Sequence, residues 1–248
     1  MDGGWCPSGS LIIFRESASS APAGRAPEDK KILPGDSVDN RPGGRVCFRY
    51  LTKGDEPLYQ TILRDSSFFS LLLRLDQELA AEARAAGCAC GGTLHSAPYP
   101  RKPRGGPDDL GTEHCLRLSF CCSVEGCRKR VTPRSLRFLG RKVFFGVWVL
   151  LLPVLRDGPT GERLRRLEEV FGVSRRTLLR WRRFWREAVP GSRFWEARRG
   201  RFAVPVVAQR LPGSLLEAFT EAVDPSGRVV AVLRFISPLS CGGREQVF

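Results

Sequence analysis

Residues 164–185 read LRRLEEVFGVSRRTLLRWRRFW, in which two amphipathic patterns flank a Gly-Val-Ser turn. Apolar residues three and four positions apart give each pattern one face that can be buried. Gly172 permits a sharp turn, Val173 fills the corner, and Ser174 can cap a second helix. The stretch therefore predicts a helix-turn-helix near residues 162–187. Its apolar positions are Leu164, Leu167, Phe171, Leu178 and Trp181.

The second helix of this pair has a basic outer face. A helix that reads the major groove must offer donors to phosphates and base edges from its first turns. We therefore expect this face to bind double-stranded DNA, and the alternative is a basic helix packed in an ordinary bundle. The outward residues are Arg175, Arg176, Leu179, Arg180 and Arg183.

An apolar run before the pair predicts a third helix over residues 141–155 that completes a trihelical core. Phe144, Val147, Trp148 and Leu151 would form its contacts with the other two helices. The run contains Pro153 and is shorter than the roughly 20 apolar residues that a bilayer span requires. A buried core helix is therefore the better interpretation.

Cysteines cluster ahead of these helices as a C-x-C pair followed by two glycines, and as a second group at 121, 122 and 127. Four thiolates satisfy the tetrahedral preference of Zn²⁺ with no open position, which indicates a structural site. The x4 spacing of Cys122 and Cys127 lies within the range for zinc knuckles, whereas Cys121 gives x5. The expected ligands are Cys88, Cys90, Cys122 and Cys127.

Other assignments of the second pair remain open at this stage. Cys121, Cys115 and the two histidines, His95 and His114, are competing ligands. If Cys122 is the ligand, Cys121 faces the opposite side of a strand. The alternative to a metal site is a set of free buried thiols. A cysteine nucleophile is disfavoured because the chain has only two histidines to serve as its base.

The segment 88–190 resembles the zinc ribbons that precede helix-turn-helix domains in bacterial insertion-sequence proteins. The resemblance rests on the sequence segments CACGGTLH, RLSFCC and GCRKRVTP. The chain differs from this family at the shortened first pair and at the doubled Cys121-Cys122. The helix pair also resembles that of transposases and invertase-type recombinases. Glu168 stands where that family usually has a small residue, which implies a slightly different helix crossing. The resemblance implies DNA contacts by Ser174, Arg175, Arg176, Leu179, Arg180 and Arg183.

A basic loop within the cysteine segment, residues 99–106, has a backbone stiffened by prolines. Arg101, Lys102 and Arg104 are expected to lie along phosphates or to enter a narrow minor groove. A solvated loop with no partner would have the same sequence.

The predicted fold is mostly α with a small β zinc ribbon, followed by a trihelical helix-turn-helix domain. A cap at Asp65 begins an amphipathic pattern that Gly87 ends. Beyond residue 190 we expect a short helix near 214–222 and a strand over Arg228–Ile236. The expected divisions are a disordered tail (1–57), an amphipathic helix (58–87), the zinc ribbon (88–135), the helix-turn-helix domain (136–190) and a C-terminal extension of unknown role (191–248).

The 248 residues carry 40 Lys plus Arg against 26 Asp plus Glu, a net charge of +14 that favours a polyanionic partner. A GC-rich genome would also enrich arginine, but it would not explain where the arginines cluster. The first 14 residues lack a basic leader and a long apolar run. The expected location is therefore the bacterial cytoplasm, in association with the nucleoid.

These features predict a sequence-recognising DNA-binding protein of a mobile element that holds one structural Zn²⁺. A homodimer or a partner transposase subunit would complete its assembly. A truncated or complete transposase and a zinc-containing transcriptional regulator are the alternatives, and an RNA-binding zinc protein would need exposed Trp181 and Trp185. Catalysis is disfavoured because few acids follow Pro190, namely Glu196, Glu217, Glu221, Asp224 and Glu245.

Overall fold

Helices predominate in the computed structural model, which describes residues 55–155, 161–202, 205–219 and 224–241. Small antiparallel sheets lie between the second and third helices, so the prediction of a mostly α fold with a small β part is confirmed. The expected tail falls outside the described residues except for its last three, which begin the first helix.

Eight α-helices and five short strands are found in the described residues. The helices are α1 Asp55–Ile62, α2 Ser66–Ala85, α3 Gly146–Leu155, α4 Gly161–Phe171, α5 Arg175–Arg183, α6 Arg193–Arg198, α7 Gly213–Ala218 and α8 Pro225–Ile236. The strands are β1 Leu94–Ser96, β2 Tyr99–Pro100, β3 Leu116–Arg117, β4 Phe120–Cys122 and β5 Arg130–Val131. A π-helical turn, Phe184–Ala188, continues α5 and accounts for the longer helix expected there.

The segment expected as one helix over 58–87 is two helices with a break after Ile62. The N–H of Ser67 donates to the Asp65 carboxylate at 2.9 Å, which confirms the predicted cap of α2. Gly87, with φ +71°, follows the end of α2 and has the left-handed conformation that favours glycine. The apolar face of α2 is buried, as its periodicity predicts.

The cysteine region, defined here as residues 88–131, contains a three-stranded antiparallel sheet in the order β1-β4-β5. Cys122 pairs with Leu94 across the sheet, and Cys121 pairs with His95 on one side and Arg130 on the other. A separate antiparallel pair joins β2 to β3. The buried apolar cluster of this region is small and consists of Cys88, Leu94, Phe120 and Cys122, packed with Ala80 of α2.

The main core lies around α3, every residue of which is buried. A helix that is apolar on all sides is stable only when other elements surround it. The cluster around it draws side chains from all eight helices, from Tyr59 in α1 to Leu239 after α8. The C-terminal segment therefore packs into the same core as α4 and α5, a role that the sequence did not reveal.

The prediction of a strand over Arg228–Ile236 is wrong, because this segment lies in helix α8. Asp224 caps the helix by accepting from the N–H of Gly227 at 2.6 Å, and Pro225 occupies its first turn. The β-branched valines suggested a strand, but burial at Val229, Val232, Leu233 and Ile236 follows helical spacing. The shorter helix expected near 214–222 is α7, and residues 220–223 lie outside the described part of the chain.

A buried ion pair joins the cysteine region to the helical core. The Asp76 carboxylate in α2 accepts from Arg137 Nε at 2.8 Å and from the N–H of Leu136 at 2.6 Å. The same guanidinium donates to the carbonyls of His114 at 2.9 Å and Leu116 at 3.0 Å. Both charged side chains are almost completely buried, and charge-assisted hydrogen bonds of this kind fix the orientation of the groups they join.

Candidate metal centre and nucleic-acid interface

Four sulfur atoms converge at one end of the β1-β4-β5 sheet. The Sγ atoms of Cys88, Cys90, Cys122 and Cys127 all lie within 4.8 Å of one another. Cys88 Sγ is 3.8 Å from Cys127 Sγ, and Cys90 Sγ is 3.4 Å from Cys122 Sγ. A tetrahedral zinc with Zn–S bonds of about 2.3 Å would hold its sulfurs about 3.8 Å apart. The four thiols therefore fit a single metal ion of this kind.

The first knuckle is closed by its own backbone. The N–H of Gly91 donates to the Cys88 carbonyl at 2.8 Å, and the N–H of Cys88 donates to the Gly92 carbonyl at 3.1 Å. A Cβ on Gly92 would lie 2.6 Å from Cys122 Sγ and 3.4 Å from Cys90 Sγ. Glycine is therefore favoured at position 92, because a side chain there would displace the sulfur atoms or Val124, whose Cγ2 would lie 2.8 Å from that Cβ.

The second knuckle is closed in a similar way. The N–H groups of Cys127 and Arg128 both donate to the Val124 carbonyl at 3.0 Å. Arg128 has φ +43°, so it supplies the left-handed residue of this turn without being glycine. The N–H of Cys122 donates to the Lys129 carbonyl at 3.0 Å, so the two ends of this knuckle are joined where the sheet begins again.

The thiols strongly affect one another's ionisation. The N–H of Gly92 and the neighbouring thiols lower the pKa of Cys90 to about 7. The pKa of Cys122 is raised to about 12, because the N–H of Val124, which lowers it, is outweighed by burial and by the other thiols. Four sulfurs this close cannot all ionise alone, and a bound dication would allow all four to be thiolates.

The competing ligands lie outside this group, as far as the described residues extend. Cys121 is half-exposed, and its thiol points to the carbonyl of Arg128 at 3.5 Å. It alternates with buried Phe120 and Cys122 along β4, as expected for a residue on the other side of the strand. Burial, the largest cause, lowers the pKa of His114, whose Nε2 lies 3.7 Å from a Glu113 carboxylate oxygen.

The turn between α4 and α5 has the local features that the sequence predicts. Gly172 adopts φ +61° with open space where a Cβ would be, so its backbone conformation alone favours glycine. Val173 is buried, and Ser174 caps α5 by accepting from the N–H of Thr177 at 3.4 Å. The side chain of Leu164 lies outside the described part of the chain.

Aromatic contacts fix both helices of this pair against the segment around α3. Trp148 packs edge-on against Phe171 at the end of α4, with ring centroids 5.5 Å apart. Phe144 packs edge-on against Trp181 of α5 at 4.9 Å. These contacts bury the apolar faces of α4 and α5 and set which face of α5 remains in solvent.

The face of α5 opposite to these contacts is exposed and basic. Its exposed residues are Ser174, Arg175, Arg176, Leu179, Arg180 and Arg183, the set expected from the sequence. Arg183 Nε lies 3.7 Å from Glu187 Oε2 in an exposed ion pair, so the charge of Arg183 is partly compensated in the free protein.

Glu168 is a feature of this surface that the sequence interpretation underestimated. Its carboxylate accepts from the N–H of Arg175 at 3.2 Å, at the first turn of α5. The residue therefore supplements the Ser174 cap and places a negative charge near the positive end of the helix. A bulkier residue at the helix crossing was foreseen, but this hydrogen bond across the turn was not.

The basic loop is attached to the helical core rather than extended into solvent. The N–H of Arg104 donates to the Val143 carbonyl at 2.8 Å, and the N–H of Phe145 donates to the Arg104 carbonyl at 3.1 Å. A Cβ on Gly105 would lie 2.4 Å from the Trp148 ring, which shows how closely the loop approaches α3.

The three basic residues of this loop differ in their surroundings. The Arg101 guanidinium donates to the carbonyls of Gly140 at 3.1 Å and Lys142 at 3.0 Å, and it lies over the Phe138 ring. The Nη2 group of Arg101 is therefore already hydrogen-bonded within the protein. Lys102 and Arg104 are exposed.

Comparison of the chain with protein-family models, curated proteins and solved structures finds no match. Among the described residues, every helix is too short or too polar to cross a membrane.

Proposed function

We propose that this chain is a sequence-recognising DNA-binding protein in which α5 enters the major groove. The observation that carries the proposal is the exposed face of α5. Its first turns present Arg175 and Arg176 outward, while Leu178 and Trp181 anchor the opposite face in the core. Donors at the beginning of a rigidly held helix are the arrangement that base reading requires.

The overall charge and the surroundings of the aromatic residues favour DNA over RNA as the partner. The net charge of +14 suits a polyphosphate, and the exposed Lys102 and Arg104 add positive charge beside the α3 segment. Stacking on splayed RNA bases would need exposed aromatic rings. Trp181 and Trp185 are 2% and 0% exposed, so they do not serve as such a platform.

The proposal includes a structural Zn²⁺ held by Cys88, Cys90, Cys122 and Cys127. The geometry of the four sulfurs and the closed backbone of both knuckles support it. With four thiolates the ion would have no open position, so it would stabilise the cysteine region rather than activate a substrate. Within this proposal the cysteine region is a zinc ribbon and the α4–α5 pair is a helix-turn-helix.

The biological setting we propose is that of a mobile element. Its support is the resemblance of segment 88–190 to insertion-sequence proteins, with a role in DNA recognition rather than catalysis. In that setting the protein would act in the bacterial cytoplasm, as a homodimer or with a separate transposase subunit.

Selection of bound duplexes from a random library, with the full chain in the presence of zinc, tests the function. We expect enrichment of a sequence motif, and Arg175→Ala or Arg176→Ala should relax its preference at one position. Each lost bidentate contact to a guanine should cost about 1–3 kcal/mol of discrimination. Arg234→Ala, which changes an exposed arginine of α8, is the matched control. Retention of the full motif by both α5 variants would contradict the proposal.

A further inference from the structure

A short basic turn follows α6 and lies outside the surfaces described so far. Arg198 ends α6, and Arg199–Arg201 form a single 3₁₀ turn directly after it. We refer to residues 198–201 as the arginine turn. Over residues 192–216 the sequence has five arginines but one acid, Glu196. The positive charge of the turn is therefore not balanced by its neighbours along the chain.

Aromatic contacts on both sides hold the arginine turn against α8. The ring centroid of Phe194, before the turn, lies 5.4 Å from that of Phe235. The ring centroid of Phe202, after the turn, lies 5.1 Å from the same Phe235 ring. The Arg198 guanidinium lies over the Phe194 ring, 5.6 Å from its centre. The turn is therefore fixed at both ends by contacts with the core.

Two arginines of the turn are exposed to solvent. They are Arg199 and Arg201, and a Cβ on Gly200 between them would meet no atom within 4 Å. As far as the described residues extend, neither arginine has a carboxylate partner, whereas Arg210 farther along pairs with Glu217 at 2.6 Å. Both charges are therefore available to an anionic partner.

The surroundings of the turn favour the phosphate backbone of duplex DNA as that partner. The neighbouring Phe194 and Trp195 are 6% and 5% exposed, so they cannot stack on unpaired bases or enter a membrane interface. A guanidinium fork instead matches the oxygens of a phosphate with two parallel hydrogen bonds. Positive charges without exposed aromatic groups bind a duplex independently of its sequence.

Hydrogen bonds connect the arginine turn to α5 through ordered structure. The Ser192 hydroxyl donates to the Val189 carbonyl at 2.6 Å and accepts from the N–H of Trp195 at 3.2 Å. It thereby joins the end of the π-helical turn after α5 to the first turn of α6. Trp185, in that π-helical turn, donates through Nε1 to the Val149 carbonyl of α3 at 2.8 Å. The arginine turn and α5 are therefore supported by the same core.

On the basis of the proposed function, we infer that Arg199 and Arg201 bind the phosphate backbone of the duplex that α5 reads. This second surface adds affinity for any sequence and leaves the choice of sequence to α5. It also gives the segment after residue 190 a role in DNA binding, in addition to its part in the core.

The test compares three double variants of the full chain in the presence of zinc. Arg199→Gln with Arg201→Gln removes both charges, and Arg199→Lys with Arg201→Lys keeps them. Arg74→Gln with Arg234→Gln removes two exposed arginine charges from α2 and α8 and is the matched control. The probes are a selected duplex, a random duplex and vesicles of phosphatidylcholine and phosphatidylserine, each titrated at several salt concentrations. The thermal midpoint of each variant is recorded in parallel.

The Arg199→Gln, Arg201→Gln variant should lower the salt slope for both duplexes by about 1.8, which is about 0.9 for each phosphate contact. Its affinity for both duplexes should fall equally, by roughly 10–100-fold at about 0.1 M salt. The lysine substitutions should restore most of this loss, since lysine also binds phosphate. The control should leave slope and affinity unchanged. Thermal midpoints should stay equal, because all four side chains are exposed.

Three outcomes would overturn the inference while the proposed function stands. The first is an unchanged salt slope, or a loss confined to the selected duplex, in Arg199→Gln, Arg201→Gln. The second is an equal fall of the slope in the control, which would assign the effect to net charge. The third is a loss of vesicle binding with both duplexes unaffected, which would assign the turn to a membrane surface. Failure of the unaltered protein to bind either duplex would instead overturn the proposed function, and the inference with it.

Discussion

The cysteine region and the helical core differ in how much apolar surface each buries. The small cluster of the cysteine region consists of Leu94, Phe120 and the side chains of Cys88 and Cys122, packed with Ala80 of α2. The helical core has α3 at its centre and tryptophan or phenylalanine side chains from most of the surrounding helices. Burial contributes about 25 cal/mol per Å² of apolar surface, so the cysteine region gains far less from it. A small region of this kind needs another source of stability, and a metal ion bound by the four thiols would supply one.

Removal of the proposed Zn²⁺ should have the largest effect, and it should destabilise the cysteine region while the helical core stays folded. Structural zinc contributes about 10–16 kcal/mol of apparent binding free energy in small zinc domains. We expect one zinc per chain, and we expect chelation or Cys122→Ala to abolish hydrogen-exchange protection in residues 88–131. Protection of α3 should persist, because its contacts are apolar and lie within the helical core.

Elemental analysis and hydrogen exchange followed by mass spectrometry would measure these effects. Cys115→Ala is the matched control, since Cys115 is half-exposed and outside the sulfur cluster. Equal zinc content in Cys122→Ala and the unaltered chain would contradict the assignment of the ligands.

Breaking the ion pair that joins the regions should have the next largest effect. Asp76→Ala would leave the Arg137 guanidinium buried without its carboxylate, and such losses cost about 3–5 kcal/mol. Because Arg137 also holds the carbonyls of His114 and Leu116, we expect protection to fall on both sides of the junction. Denaturant unfolding of the zinc-loaded protein gives the change in free energy.

A surface carboxylate provides the comparison for that measurement. Glu125→Ala removes an exposed charge from the second knuckle, and changes of this kind usually stay within about 0.5 kcal/mol. If Asp76→Ala were as mild as Glu125→Ala, the two regions would not depend on the buried pair.

A smaller effect is expected from a single methyl group placed against the sulfurs. The Cβ of Gly92→Ala would lie 2.6 Å from Cys122 Sγ, and overpacking of this kind costs about 1–3 kcal/mol. That cost corresponds to a loss of zinc affinity of roughly 5–150-fold. Gly126→Ala is the control, because no atom lies within 4 Å of a Cβ built there.

Competition with a chelator of known zinc affinity measures both variants. Similar zinc affinities for Gly92→Ala and Gly126→Ala would indicate that the first knuckle adjusts to the added methyl group. The candidate metal site would then be less rigid than the apolar core.

Features that depend on neighbours in the chain were predictable from the sequence. Gly172 and Ser174 determine a turn and a cap within a few residues, and Asp65 does the same for α2. The α8 segment was misread because its valines were given more weight than the Asp224-Pro225 cap that begins it. Of the candidate ligands, cysteine spacing selected the four whose sulfurs converge in the structure.

Contacts between distant parts of the chain were decided by the tertiary structure. The sequence by itself determined the helix pair and the basic face of α5, because local backbone geometry and periodicity specify them. It favoured the two cysteine knuckles but left other ligands of the second pair open. It did not determine that Arg101 holds the carbonyls of the turn before α3, or that Lys142 Nζ lies 4.4 Å from the centre of the Phe184 ring. Such pairings join residues about 40 positions apart, and they form only when a shared core brings both segments to one surface.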